Sequence, residues 1–311
     1  MRIRATVAAV SGALALSAFA VPAAQAAGGS SYSPSDLAKF AAAAQQAASG
    51  RSAYTASTAD DTGVPYTLDL SFSNVKVNNG KPIVAGTTTH VKAPVTFTVT
   101  HAADVDIHAS DFLMDVDIYR GSFDDPANIL VGDDWPSCTD TSATTASCKG
   151  TIDIYADEEL TNADATTWKA EGIAVALNGQ DLTSEDIDWS KVGVASQDGL
   201  ATTKLQRLSK LTVDATPEPV KKGKTITVTG KLSRANWDTG KYAGYAGQSV
   251  KLQFRKKGSS TYTTLKTIKT SSTGTLKTTT KATVDGYYRY SFAGTSTTPA
   301  VSATGDYVDV K

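Results

Sequence analysis

The chain has 311 residues, with 30 Lys plus Arg against 31 Asp plus Glu, 41% hydrophobic residues, two Cys and three His. That much apolar material excludes a collagen-like or wholly disordered chain, and two cysteines exclude a disulfide-dense miniprotein. The near-zero total charge hides a division: residues 27–203 carry 9 basic and 25 acidic side chains, net −16, whereas residues 204–311 carry 19 and 6, net +13.

The first 26 residues have the pattern of a secretory signal. Arg2 and Arg4 precede an apolar run from Ala5 to Ala20, and Ala24-Gln25-Ala26 is a small-x-small cleavage site. The run is short for a spanning helix and is broken by Ser11, Gly12 and Ser17, which favours export over anchoring. Export gives meaning to the two cysteines, because an oxidising compartment keeps thiols paired. Cys138 and Cys148 are expected to form a structural disulfide closing a loop of about ten residues; the spacing is not that of a redox or zinc pair.

Residues 27–63 read as a helical or flexible arm. Ser33-Pro34-Ser35-Asp36 supplies an N-cap, a proline at the first helical position and an acid three residues on; Leu37, Phe40, Ala41 and Ala44 then recur at helical spacing before Gly50. Arg51 to Thr62 is a Ser/Thr/Ala-rich spacer.

From Pro65 the period changes to two. Tyr66, Leu68, Leu70 and Phe72 are expected on one face of a single strand, and Val95 to Val99, Val116 with Ile118, Ile152 with Ile154, and Ile173 to Leu177 repeat the alternation. Turns at Asn79-Gly80, Gly121-Ser122 and Asn178-Gly179 separate these segments, which argues for an acidic antiparallel sandwich over residues 64–200. A second, basic sandwich is expected over residues 204–311. There Ile226, Val228, Leu232, Leu252 and Phe254 face inward between polar neighbours, followed by Tyr288, Tyr290 and Phe292 behind Asp285-Gly286, and by Val308 with Val310. Asp285-Gly286-Tyr287-Tyr288 followed by Tyr290 resembles an immunoglobulin tyrosine corner, with Tyr290 at the place of the second cysteine of an antibody domain.

The stretch Leu211 to Val310 contains Ala215-Thr216-Pro217-Glu218-Pro219-Val220-Lys221-Lys222-Gly223, Val228-Thr229-Gly230-Lys231-Leu232, Val250 to Arg255, Asp285 to Arg289 and Phe292-Ala293-Gly294-Thr295. It resembles an immunoglobulin-like module common in secreted proteins of streptomycetes and related actinobacteria. Residues 65–195 resemble, more loosely, the domain that often precedes it. The resemblance implies an all-β chain of two immunoglobulin-like sandwiches and a secreted, noncatalytic surface or matrix protein, and it carries over no functional residues.

The chemistry-bearing residues agree with an absence of catalysis. His90, His101 and His108 lie within one acidic stretch, no G-x-S-x-G or H-E-x-x-H occurs, and Gly223-Lys224-Thr225 lacks the upstream glycine of a phosphate loop. Paired carboxylates of the kind a secreted hydrolase uses are an open alternative, because acids are plentiful. Asp104, Asp106 and His108 are expected on one strand face, with Asp115 and Asp117 aligned nearby. Such a face suits calcium, or is simply the wet side of a strand that buries Val105, Ile107, Val116 and Ile118.

In the basic domain, the Gly-rich loop from Asn236 to Tyr245 carries Trp237, Lys241, Tyr242 and Tyr245, and Lys251 and Arg255 sit on the polar side of the next strand. These six are the candidate ligand contacts: exposed rings stack on a sugar or wall polymer, whereas a loop Trp otherwise caps a sandwich core. The basic surface suits an anionic cell-wall or matrix polymer, or the acidic domain itself. No specific nucleic-acid motif, cofactor motif, metal loop or later membrane span is present.

Overall fold

The computed structural model describes residues 32–34, 36–37, 65–182, 184 and 187–311. The expected signal segment, the flexible spacer and most of the expected N-terminal helix lie outside the described residues. Among the described residues the fold is almost entirely β, and the chain forms two compact units. One comprises the described residues up to Pro82, Val91–Ile154 and Thr167–Thr203; the other comprises Ile83–His90, Tyr155–Thr166 and Lys204–Lys311. The second unit thus draws in two short segments that precede residue 204.

The strands of the first half are β1 (Tyr66–Thr67), β2 (Leu70–Val77), β3 (Ile83–Ala85), β4 (His90–His101), β5 (Phe112–Gly121), β6 (Pro126–Leu130), β7 (Ser137–Ser142), β8 (Thr145–Tyr155), β9 (Thr167–Ala176) and β10 (Gly193–Arg207). In the first unit, the order β1-β10-β9-β5-β6 forms one sheet and β2-β4-β8-β7 the other. Phe72, Phe97, Val99, Val116, Ile118, Ile152 and Ile154 are buried, and the Phe72 ring lies where a side chain on Gly172 would be, which lets β2 pack closely on β9.

Two expectations change here. Tyr66 to Phe72 is not one strand: a bend at Asp69 separates β1, which pairs in parallel with β10, from β2, which pairs antiparallel with β4 in the other sheet. Tyr66 is 43% exposed while Leu68 is buried; Leu68 still donates to the Val194 carbonyl of β10 at 3.0 Å, and the chain changes sheets after it, at Asp69. Cys138 and Cys148 do form the disulfide, as directly opposed residues of the β7–β8 hairpin with Cα atoms 4.1 Å apart, so the pair joins strands and not the ends of an irregular loop.

The start of the arm is ordered by its own side chains. Asp36 accepts from the Ser33 backbone N–H at 3.0 Å and from the Ser33 hydroxyl at 2.7 Å, a capped first turn. That turn delivers Leu37, fully buried, to Leu113, Ile173, Val175 and Leu177 on the β5–β9 sheet. Left-handed backbone at Asn78, Asn79 and Gly80, and at Asn178 and Gly179, makes the expected turns.

The second unit is a sandwich of β11 (Ser209–Leu211), β12 (Asp214–Thr216), β13 (Thr225–Asn236), β14 (Lys241–Gly244), β15 (Ser249–Lys256), β16 (Thr263–Lys269), β17 (Thr275–Lys281), β18 (Gly286–Phe292), β19 (Val301–Ser302) and β20 (Asp306–Val308). Strand β13 is the centre of one sheet, flanked by β11, β12, β14 and β17; the other runs β16-β15-β18, with β19 and β20 on β18. This is an immunoglobulin-like arrangement, with Ile226, Val228, Leu232, Val250, Leu252, Leu276, Tyr288, Tyr290 and Phe292 in its core. Strand β3 joins this unit by pairing in parallel with Leu205–Arg207 at the end of β10.

Candidate functional site

Strict alternation divides β15 and β18 into two faces. Val250 and Leu252 enter the core, so Lys251, Gln253 and Arg255 point out; Tyr288, Tyr290 and Phe292 enter it, so Tyr287, Arg289 and Ser291 point out. Register then brings the outward residues into rows. Arg255 lies opposite Tyr287, which lies opposite Tyr307 of β20, and Gln253 lies opposite Arg289.

The rows are held by cation–ring contacts. The Arg255 guanidinium sits 4.1 Å over the Tyr287 ring, Arg289 sits 3.7 Å over Tyr262, and Arg255 is 5.3 Å from the same Tyr262 ring. Tyr287 and Tyr307 pack at 5.1 Å, and the Lys257 ammonium lies 5.3 Å over Tyr307 while donating to its hydroxyl at 3.1 Å. Arg289 Nε donates to Gln253 at 2.9 Å, and an Arg255 Nη donates to the Ser259 carbonyl at 2.5 Å. Among the described residues no carboxylate lies within ion-pair distance of Arg255 or Arg289; Lys257 alone on this face has one, Asp285 at 3.6 Å. Stacking fixes these cations in place without neutralising them, and a guanidinium over a ring keeps in-plane N–H groups free for an anion.

The six expected contact residues do not form one patch. Trp237 is buried, 4% exposed, and its indole N–H donates to the Gly86 carbonyl at 2.6 Å. It presents no face to a ligand, which corrects the expected stacking platform. It fastens residues 83–90 to the sandwich, as the interior-covering alternative requires. Tyr242 lies under the Lys210 ammonium at 3.7 Å and Tyr245 under the Arg234 guanidinium at 3.9 Å, so each has one ring face taken by a cation. Lys241 and Tyr242 belong to β14 in one sheet, whereas Lys251 and Arg255 belong to β15 in the other. Tyr262, Tyr287, Arg289 and Tyr307 were not among the expected contacts; the Tyr-x-Arg alternation in β18 was the available signal, but their partners depend on cross-strand register.

The acidic face of the first unit also departs from expectation. Asp104, Asp106 and His108 lie in turns between β4 and β5, not on a strand. The His108 backbone N–H donates to Asp106 at 2.9 Å, and its ring pairs with Asp140 at 2.9 Å. Asp115 and Asp117 do share a strand face, but it is not wet: they are 5% and 1% exposed. One oxygen of Asp115 accepts the Val116 N–H at 2.8 Å; its other oxygen and one of Asp117 have no hydrogen-bond partner among the described residues. Burial pushes both carboxyls above the usual range, and Asp115 and Glu171 raise Asp117 further. Glu171, directly opposite Asp117 on β9, is pushed up to about 7 by burial and by Asp198.

Among the described residues no helix is long and apolar enough to cross a membrane. No protein-family model and no curated protein sequence matches the chain. Among solved structures, the full ectodomain of mouse nectin-like molecule 4 is similar at 12% identity and a TM-score of 0.22, over 78% of this chain and 65% of that one. The adhesin InvE of Yersinia pseudotuberculosis is similar at 11% identity and a TM-score of 0.24, over 77% and 58%. The A168–A170 domains of titin match at 8% identity and a TM-score of 0.22, over 80% and 68%. This chain thus spans less than two thirds of the first two, and superpositions this loose carry no argument about what it does.

Proposed function

We propose that the protein is a noncatalytic, secreted extracellular protein whose basic second unit attaches it to an anionic cell-wall or matrix polymer. The observation that carries this reading is the outward face of β15, β18 and β20, where Arg255 and Arg289 are fixed on Tyr262 and Tyr287 with no carboxylate among the described residues within ion-pair distance. Preorganised cations lose little side-chain freedom on meeting a polyanion, and Arg with Tyr is the pairing enriched where contacts carry binding energy. The surplus of basic residues from 204 to 311 supplies the long-range attraction. Secretion is supported by the basic-apolar-small pattern of the first 26 residues and by the Cys138–Cys148 disulfide.

The test is co-sedimentation of the full chain with purified Gram-positive cell wall at low salt and at physiological salt. Wild-type protein is expected to sediment and to release as salt rises, since the Debye length shrinks to about 8 Å at physiological strength. An Arg255→Gln, Arg289→Gln double variant is expected to lose most of the bound fraction. Wall binding that is absent at both salt strengths overturns the reading.

A further inference from the structure

A recess of about 420 Å³ opens in the second unit beside the paired ends of β13 and β14. Two arginines line it, Arg207 from the end of β10 and Arg234 from β13, together with Asn162, Asn236 and Tyr245. Arg207 is only 7% exposed. Its Nε donates to the Ala235 carbonyl at 2.5 Å, which accounts for one of its five N–H donors. Arg234 is stacked over Tyr245, and its Nη1 reaches the Thr298 hydroxyl at 3.2 Å and that of Thr297 at 3.4 Å.

Among the described residues neither guanidinium lies within ion-pair distance of a carboxylate. The acid acting on Arg207 is Asp238, and its carboxylate is already held by Asn162, through the backbone N–H at 2.9 Å and through the side-chain amide. Burial, and then the neighbouring charge of Arg234, bring Arg207 down to about 10. A nearly buried cation facing a second cation is costly unless an anion joins them. The recess is open to receive one. A carboxylate is saturated by a single planar fork, whereas a tetrahedral phosphate offers oxygens in more than one plane to two forks arriving from separate strands.

We propose that the recess between Arg207 and Arg234 binds a phosphate group, either free phosphate or a phosphodiester of an anionic polymer. The polymer source rests on the wall-attachment reading above; the site itself does not.

The experiment is NMR of the full chain labelled at arginine nitrogen, titrated at constant ionic strength with inorganic phosphate, dimethyl phosphate and acetate. Phosphate is expected to shift the Arg207 and Arg234 Nε–Hε signals saturably. Arg234→Gln is expected to weaken this about ten-fold, the scale of one charge-assisted contact, while Lys277→Gln, an exposed change on β17, leaves it unchanged. Saturable binding of dimethyl phosphate as well assigns the site to a diester, and binding of inorganic phosphate alone assigns it to the free ion; either supports the proposal. Non-saturating shifts equal for all three anions overturn it, as does unaltered phosphate affinity in an Arg234→Gln protein of normal melting temperature. Loss of wall binding in the Arg255/Arg289 variant with these shifts intact separates the two sites.

Discussion

The hydroxyl of Tyr290, on one sheet of the second unit, donates to the carbonyl of Val228 on the facing sheet at 2.8 Å. Tyr290 is fully buried, so this hydrogen bond spans the core between the two sheets. Gly230 makes room for it: a Cβ there would lie 2.3 Å from the Thr212 carbonyl and 2.8 Å from the Tyr290 ring. Tyr290→Phe is expected to cost about 1 kcal/mol, the net worth of a buried neutral hydrogen bond. Gly230→Ala is expected to cost more, about 1–3 kcal/mol, through overpacking. Urea unfolding of both variants checks the order, and a Gly230→Ala protein as stable as wild type contradicts the packing described.

Trp237 is expected to behave as an interior residue. Trp237→Phe keeps an apolar ring but removes the donor to Gly86 and leaves that carbonyl short of a partner, at about 1–3 kcal/mol. Differential scanning calorimetry should show a lowered melting transition, with wall co-sedimentation per folded molecule unchanged. A variant of unaltered stability that sediments poorly restores Trp237 as a ligand contact.

The buried acids make the first unit sensitive to pH. The carboxyls of Asp115, Asp117 and Glu171 are all raised in the folded protein, so folding favours their protonated forms. Their contribution is fully present below the unfolded values near 4 and is lost as pH rises through the folded ones, which for Glu171 is about 7. Each raised group weakens folding by up to about 1.4 kcal/mol per pH unit across its window. Asp117→Asn is expected to stabilise the unit at pH 8 and to flatten the dependence between pH 4 and 8. Thermal unfolding across that range reads this directly, and equal slopes for variant and wild type argue against it.

The disulfide is expected to act on stability alone. Cys138 and Cys148 are ten residues apart and already opposed across the β7–β8 hairpin, so replacing both with Ser removes a constraint worth about 2–3 kcal/mol in the unfolded chain. Circular dichroism should show the same strand content, with a lower unfolding midpoint. Loss of strand signal at room temperature sinks this account.

The sequence by itself determined what local chemistry dictates. Alternation in Ile226 to Leu232 and in Tyr288 to Phe292 identified strands and their inward faces, because a period of two needs no partner to be read. Asn-Gly pairs marked turns through their tolerance of left-handed backbone, Ser33 and Asp36 marked a helix start, and two cysteines in a chain with an export-like leader left one pairing. Tertiary structure decided everything that depends on which strand lies beside which. It split the segment from Tyr66 to Phe72 between two sheets, closed the face of Asp115 and Asp117 away from water, and buried Trp237 under Gly86. It also set Arg255 beside Tyr287 and Arg207 beside Arg234, pairs separated by 32 and 27 positions along the chain. Such neighbours arise from register between strands far apart in sequence, and alternation fixes which face a side chain takes but not what stands opposite it.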